Sequence, residues 1–166
     1  NVTNPNPLTK DNLTQLNGRF DAIQMQGDSS NILRWSGYNF LKEIDRKLIE
    51  DTLKLDTADD YRFELKIIDL KSIKINYLVN DINFRSRIIK GRLKRDGYFY
   101  LKNKNLGVLG VPYIAGAIDV NRSRLTLSEK GNLIYDVSNF RSGAALIIVF
   151  LSWSSSKDRC EYDRLE

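Results

Sequence analysis

Histidine is missing from this chain, cysteine occurs once, as Cys160, and proline only three times. Without an imidazole there is no Ser-His or Cys-His nucleophile, no histidine-ligated zinc and no histidine proton shuttle. A lone cysteine closes no internal disulfide and builds no thiolate cage, and with no imidazole partner Cys160 reads as an inert or surface thiol. Long apolar runs are also missing. The longest, Ala144 to Leu151, falls far short of the ~20 residues a helix needs to cross a bilayer. No calcium loop accompanies the Asp59-Asp60 pair, and the hydroxyls of Ser152 to Ser156 have no base to activate them. The expectation is therefore a protein that is not an enzyme and carries no metal or cofactor.

What is present is an ordinary globular balance. The 166 residues are 42% hydrophobic and 28% charged with a net charge of +5, enough for one domain whose core needs no covalent staples. Asn1 to Thr14 is polar and punctuated by Pro5 and Pro7, so it reads as a flexible tether ahead of a single domain over residues 15–166. Its polar start fits a mature chain freed of a signal peptide as well as it fits a fragment trimmed at a domain boundary.

Leu16 to Met25 reads as a first strand, and the three- and four-residue spacing of Phe40, Leu41, Ile44, Leu48 and Ile49 predicts a short helix over Asn39 to Asp51. From Tyr61 the period becomes two. Tyr61, Phe63, Leu65 and Ile67 form one strand, and Ile73, Ile75, Tyr77 and Val79 form its hairpin partner. Asn83 to Lys94 then turns through Asp96-Gly97, expected as a type I′ turn, into Tyr98 to Asn103. Ser123 to Ser128 and Asn132 to Val137 make a further hairpin around Gly131, and Ala144 to Trp153 reads as the last strand. The fold expected is all-β, about eight antiparallel strands closed into a barrel, with a β-sandwich as the alternative. Phe63, Leu65, Ile73, Ile75, Phe99, Leu125, Leu133, Ile147 and Val149 are the expected core.

Two functional readings compete. Trp35 and Tyr38 flank Gly37, and Tyr98 and Tyr100 must share one strand face; together they are the candidate contacts for a small apolar or amphipathic ligand in a barrel interior or mouth. The rival is a basic surface over residues 85–104, where Arg85, Arg87, Lys90, Arg92, Lys94, Arg95, Lys102 and Lys104 meet one acid, Asp96. Such a surface would take anionic headgroups or, less favoured, nucleic acid. The basic residues fall on both parities of the strand, which argues against one clean stripe.

The order Leu16-Asn17-Gly18-Arg19-Phe20, then Ile89-Lys90-Gly91-Arg92-Leu93 leading through Asp96-Gly97 into Tyr98-Phe99-Tyr100-Leu101, then Leu125-Thr126-Leu127 with Gly131-Asn132-Leu133, resembles the lipocalin-like envelope lipoproteins of Bacteroidetes-type bacteria. The resemblance implies a barrel fold, an N-terminal lipid anchor on a cysteine and an address in the cell envelope, periplasmic or at the outer membrane. No cysteine stands near residue 1, so the implied tether would be a lipidated cysteine upstream. The family transfers no functional residue.

Overall fold

The computed structural model describes residues 4–22, 44, 59–102, 106–109, 115–145 and 149–165; over 106–109, 115–121, 138–145 and 149–158 the description is of the backbone. Among the described residues a 3-10 turn, Leu13–Leu16, precedes nine strands: β1 Gly18–Asp21, β2 Tyr61–Asp69, β3 Ser72–Val79, β4 Ile82–Leu93, β5 Phe99–Leu101, β6 Leu106–Leu109, β7 Ala115–Leu127, β8 Leu133–Ala145 and β9 Val149–Tyr162. All pairings are antiparallel, in the order β1-β2-β3-β4-β5-β7-β8-β9. β5 and β6 both pair with β7, one at Phe99↔Leu125 and the other from Leu106↔Val120 to Leu109↔Ala117, so they are two pieces of one strand position. Eight positions result.

The two ends of this path meet. The Asp21 amide donates to the Asp163 carbonyl at 2.9 Å, the Leu165 amide donates to the Arg19 carbonyl at 2.8 Å, and Phe20 stands opposite Arg164. The sheet is thus a nearly closed barrel and not a sandwich. Closure uses up edges that a flat sheet would expose. The Arg164 guanidinium locks the seam, donating to the carbonyls of Gly131, Asn17 and Gln15 at 2.8, 2.9 and 2.7 Å and lying 4.8 Å above the Phe20 ring.

Inside, alternation does the work expected of it. Phe63, Leu65, Ile73, Ile75, Phe99, Leu125 and Leu133 are all buried, while Ile147 and the Val149 side chain lie outside the described residues. Phe20 stacks on Phe63 at 5.4 Å and Tyr162 meets Phe63 edge-on at 5.8 Å, an arrangement that aromatic quadrupoles favour. Cys160 belongs to this core, so it is a buried thiol and not a surface one. Gly91 makes room for the core: a β-carbon there would stand 2.3 Å from Phe99 Cε1 and 2.9 Å from the Tyr100 carbonyl oxygen. Gly91→Ala should therefore lower the unfolding free energy by about 2 kcal/mol through overpacking, measured by urea denaturation.

Several boundaries differ from those read in the sequence. β1 is confined to Gly18–Asp21 among the described residues, and the helix expected over Asn39 to Asp51 lies outside them except for Ile44, which is buried. The apolar run taken as one last strand is shared by two. Ala144 and Ala145 close β8, pairing with Gly116 and Ala115, and β9 begins at Val149 and runs on to Tyr162. Composition alone could not show that a reversal falls within an apolar run, because strands on either side of it carry the same residue types.

The turns also changed places. Asp96 does not take the left-handed conformation that a type I′ turn requires; only Gly97 does, at φ +74°, after a Gly97 amide to Lys94 carbonyl bond of 3.0 Å. This is a three-residue connection between Lys94 and Tyr98, a β-turn followed by a glycine bulge. The paired left-handed residues occur instead at Asn80 (φ 50°) and Asp81 (φ 65°), between the partners Val79 and Ile82. Asparagine and aspartate tolerate that conformation because their short polar side chains bond locally.

Residues 4–14, read as a tether outside the core, are laid on the barrel. Leu8 and Leu13 are buried, Asn6 bridges to Leu127, and the Leu8 amide donates to the Gly97 carbonyl at 2.9 Å. The Thr126 hydroxyl bonds Asn4 Oδ1 and the Asn6 carbonyl, both at 2.9 Å. The two leucines supply the burial that a proline-containing segment needs to become ordered.

Candidate ligand-binding site

β4 sorts its charges by face. Ile75 of β3 stands opposite Arg87 and Tyr77 opposite Arg85, with Ile73 opposite Ile89. Ile73, Ile75 and Tyr77 point into the barrel, so Arg85 and Arg87 share the inner face with them. The register slips between Tyr77 and Leu78, leaving Phe84 as the extra residue. A bulge of this kind turns two consecutive side chains the same way, and the Phe84 ring accordingly lies 6.4 Å from that of Tyr77 and packs on the core. Ile75 and Tyr77 are fully buried, while Arg87 and Arg85 opposite them, and Phe84 and Val79 beside the slip, are half-buried. This group lies at the end of the barrel away from the 3-10 turn, where β1 ends at Asp21 and β2 begins at Tyr61.

Tyr98 and Tyr100 do share a face, but it is the outer one, since Phe99 and Leu101 between and beyond them point inward. There they join a charge cluster. The Asp136 carboxylate accepts from Arg159 Nε at 2.7 Å and Nη2 at 2.9 Å and from Arg124 Nε at 3.0 Å, and Arg124 Nη2 completes an ion pair at 3.0 Å. Arg124 lies 3.7 Å above the Tyr98 ring, Arg159 donates to the Tyr98 hydroxyl at 3.1 Å, and Tyr100 donates to Asp96 Oδ2 at 2.6 Å. Burial and the acceptor Asp96 hold the Tyr100 phenol above its ordinary value. Burial works against the Arg124 charge, yet the Tyr100 hydroxyl and Asp136 together hold that guanidinium above its usual range; Asp136 does the same for Arg159. The cluster is saturated with its own partners, and its role is to pin β5, β7, β8 and β9 together on the outside. Trp35 and Tyr38 lie outside the described residues.

No family model, curated protein or solved structure matches this chain. The geometry therefore stands by itself. Of the candidates read in the sequence, the described structure brings Tyr98 and Tyr100 together and takes both out of the barrel interior. It brings in Arg85, Arg87 and Phe84, which had been grouped with a surface or passed over. Their signal was available only after pairing, because the odd-numbered arginines are indistinguishable from the even-numbered basic residues until β3 fixes which face is inside.

A surface ion pair on the neighbouring strands carries a pH dependence. Arg19 Nε and Nη2 donate to Glu64 Oε1 at 3.2 and 2.9 Å, and Asn76 Nδ2 donates to Oε2 at 3.3 Å. The Arg19 bonds hold the Glu64 carboxyl below its ordinary 4.5, against the burial that would raise it. A lowered folded value means the stabilisation is complete above 4.5 and is lost as pH falls through the folded value. Both side chains are about one-third exposed, so the effect is less than about 1 kcal/mol. Glu64→Gln should flatten the stability profile between pH 5 and pH 3, roughly the window in which such a carboxylate titrates, and leave its higher-pH slope alone.

Proposed function

We propose that this protein is a noncatalytic binding module that holds a small amphipathic molecule at the barrel end away from the 3-10 turn. The observation that carries the reading is the pairing of Tyr77 with Arg85 and Ile75 with Arg87, which sets two half-buried arginines on the inner face beside fully buried apolar neighbours. Phe84 and Val79 offer half-buried apolar surface at the same level. A guanidinium matches the planar fork of a carboxylate or a phosphate, and its weak hydration makes it suited to such a partly dry place. The ligand would meet the half-buried Phe84 and Val79 and not Ile75 or Tyr77, which are fully buried. Attachment to a cell envelope through a lipidated cysteine upstream belongs to the same reading by resemblance, and the coding sequence ahead of Asn1 tests it directly.

The binding test is a titration with dodecanoate and with dodecanol. Dodecanoate should bind the more tightly, and Arg85→Gln with Arg87→Gln should weaken it by about tenfold or more, the range of charge-assisted hydrogen bonds, with little change for the alcohol. Tyr100→Phe should leave both affinities unchanged. Absence of binding by either compound, or dependence on Tyr100 in place of the arginines, would sink the proposal.

A further inference from the structure

The outer face of β2, β3 and β4 carries a separate feature, independent of the barrel interior. Lys66 stands directly opposite Lys74, and Lys74 directly opposite Ile88. Ile88, Lys90 and Arg92 follow at alternate positions on the outer face of β4, and Lys71 sits beside Leu70 in the β2–β3 turn. Among the described residues, none of Lys66, Lys71, Lys74, Lys90 and Arg92 makes an ion pair. Set among them, Ile88 is 63% exposed, Ile68 50% and Leu70 47%.

A single exposed isoleucine needs no account, but aliphatic side chains gathered among five cations, with the acid Asp69 beside them in the chain, do. Like charges placed directly across two strands weaken the pairing, so Lys66 and Lys74 oppose the sheet in the free protein, and an anionic partner would relieve them. The parity problem posed by the basic segment also dissolves here. Arg85 and Arg87 face inward, while Lys90 and Arg92 face outward and are joined by Lys66 and Lys74 from the neighbouring strands into one stripe.

We infer that this face docks on an anionic membrane surface, with the five cations among the headgroups and Ile68, Leu70 and Ile88 entering the boundary of the hydrocarbon. Cations near such a surface attract it at short range, and aliphatic side chains gain by leaving water for the acyl boundary. Single-stranded nucleic acid asks for something else, aromatic faces on which bases stack. The nearby rings do not offer them: Lys94 lies 3.6 Å over Tyr100 and Arg124 lies 3.7 Å over Tyr98.

The test is flotation of the full chain with phosphatidylcholine vesicles, with and without phosphatidylserine, at low and high salt. Binding is expected only to the anionic vesicles and should fall with salt. Lys74→Gln with Lys90→Gln should weaken it by about 25-fold, roughly fivefold for each cation removed. Lys10→Gln with Lys130→Gln, which changes net charge equally at two exposed positions elsewhere, should weaken it far less. Ile88→Ser should reduce what binding survives at high salt. All five positions are exposed or half-buried, and an unchanged circular dichroism spectrum would show that each variant is folded. Failure to bind anionic vesicles overturns the inference, as does equal loss in the two lysine pairs. Binding of a single-stranded oligonucleotide that is stronger than vesicle binding and lost with Lys74 and Lys90 overturns it in favour of a nucleic-acid surface.

Discussion

Phe63→Ala should lower the unfolding free energy by about 4 kcal/mol, read as a shift of the urea midpoint with little change in slope. Phe63 is fully buried, stacked on Phe20 at 5.4 Å and met edge-on by Tyr162 at 5.8 Å. These three come from β2, β1 and β9, the strands on either side of the seam where the barrel closes. Truncation leaves a hole that strands tied on both sides by hydrogen bonds cannot collapse to fill, so the cavity cost adds to the lost transfer energy. Phe63→Leu, which keeps most of the volume, should cost less than half as much. Equal losses for the two variants would show that the site relaxes freely and that packing at the seam contributes little.

Asp136→Ala should cost about 3 kcal/mol, unusual for a charged residue on the outside of a barrel. Its side chain is 10% exposed and accepts from both Arg124 and Arg159, so removal leaves two half-buried guanidiniums facing each other without an anion. The larger part of the loss is that uncompensated charge and not the worth of the pairs themselves. Asp136→Ala combined with Arg159→Met should therefore recover part of the stability lost by Asp136→Ala alone. A double-mutant cycle measures this coupling, and strict additivity would mean that the cluster acts as independent surface pairs. Ion pairs with exposed partners, such as that of Arg62 with Asp81, should show the small values usual at a surface.

Some of this was legible from residue order. Tyr61 to Val79 alternates so regularly that an antiparallel hairpin with one buried face fits it, and Tyr61, Phe63, Leu65, Ile73, Ile75 and Tyr77 are buried as the alternation selects, with Ile67 and Val79 half-buried and Leu78 buried where the register slips. Gly131, at φ +86°, ends its turn as expected. Elsewhere the local signals were degenerate. Asp96-Gly97 and Asn80-Asp81 are both acceptable turn sequences, and the loop length set by the strand register, two residues between Val79 and Ile82 but three between Lys94 and Tyr98, goes with the paired left-handed geometry at the first. The leader looked like a spacer because it is polar and punctuated by Pro5 and Pro7, yet Leu8 and Leu13 each meet apolar surface that the folded barrel provides.

The sequence by itself determined the all-β class, the identity of most core positions and the absence of imidazole chemistry, because these depend on composition and on a period of two that any sheet must obey. Closure, the docking of the leader and the sorting of charge were decided by tertiary structure. Whether Arg85 faces the core or water depends on its pairing with Tyr77 across a bulge, and Asp136 becomes a buried anion only when β7 and β9 bring an arginine to each side of it. A strand's alternation specifies two faces but not which is inside. Only its partners, and the one-residue slips between them, settle that.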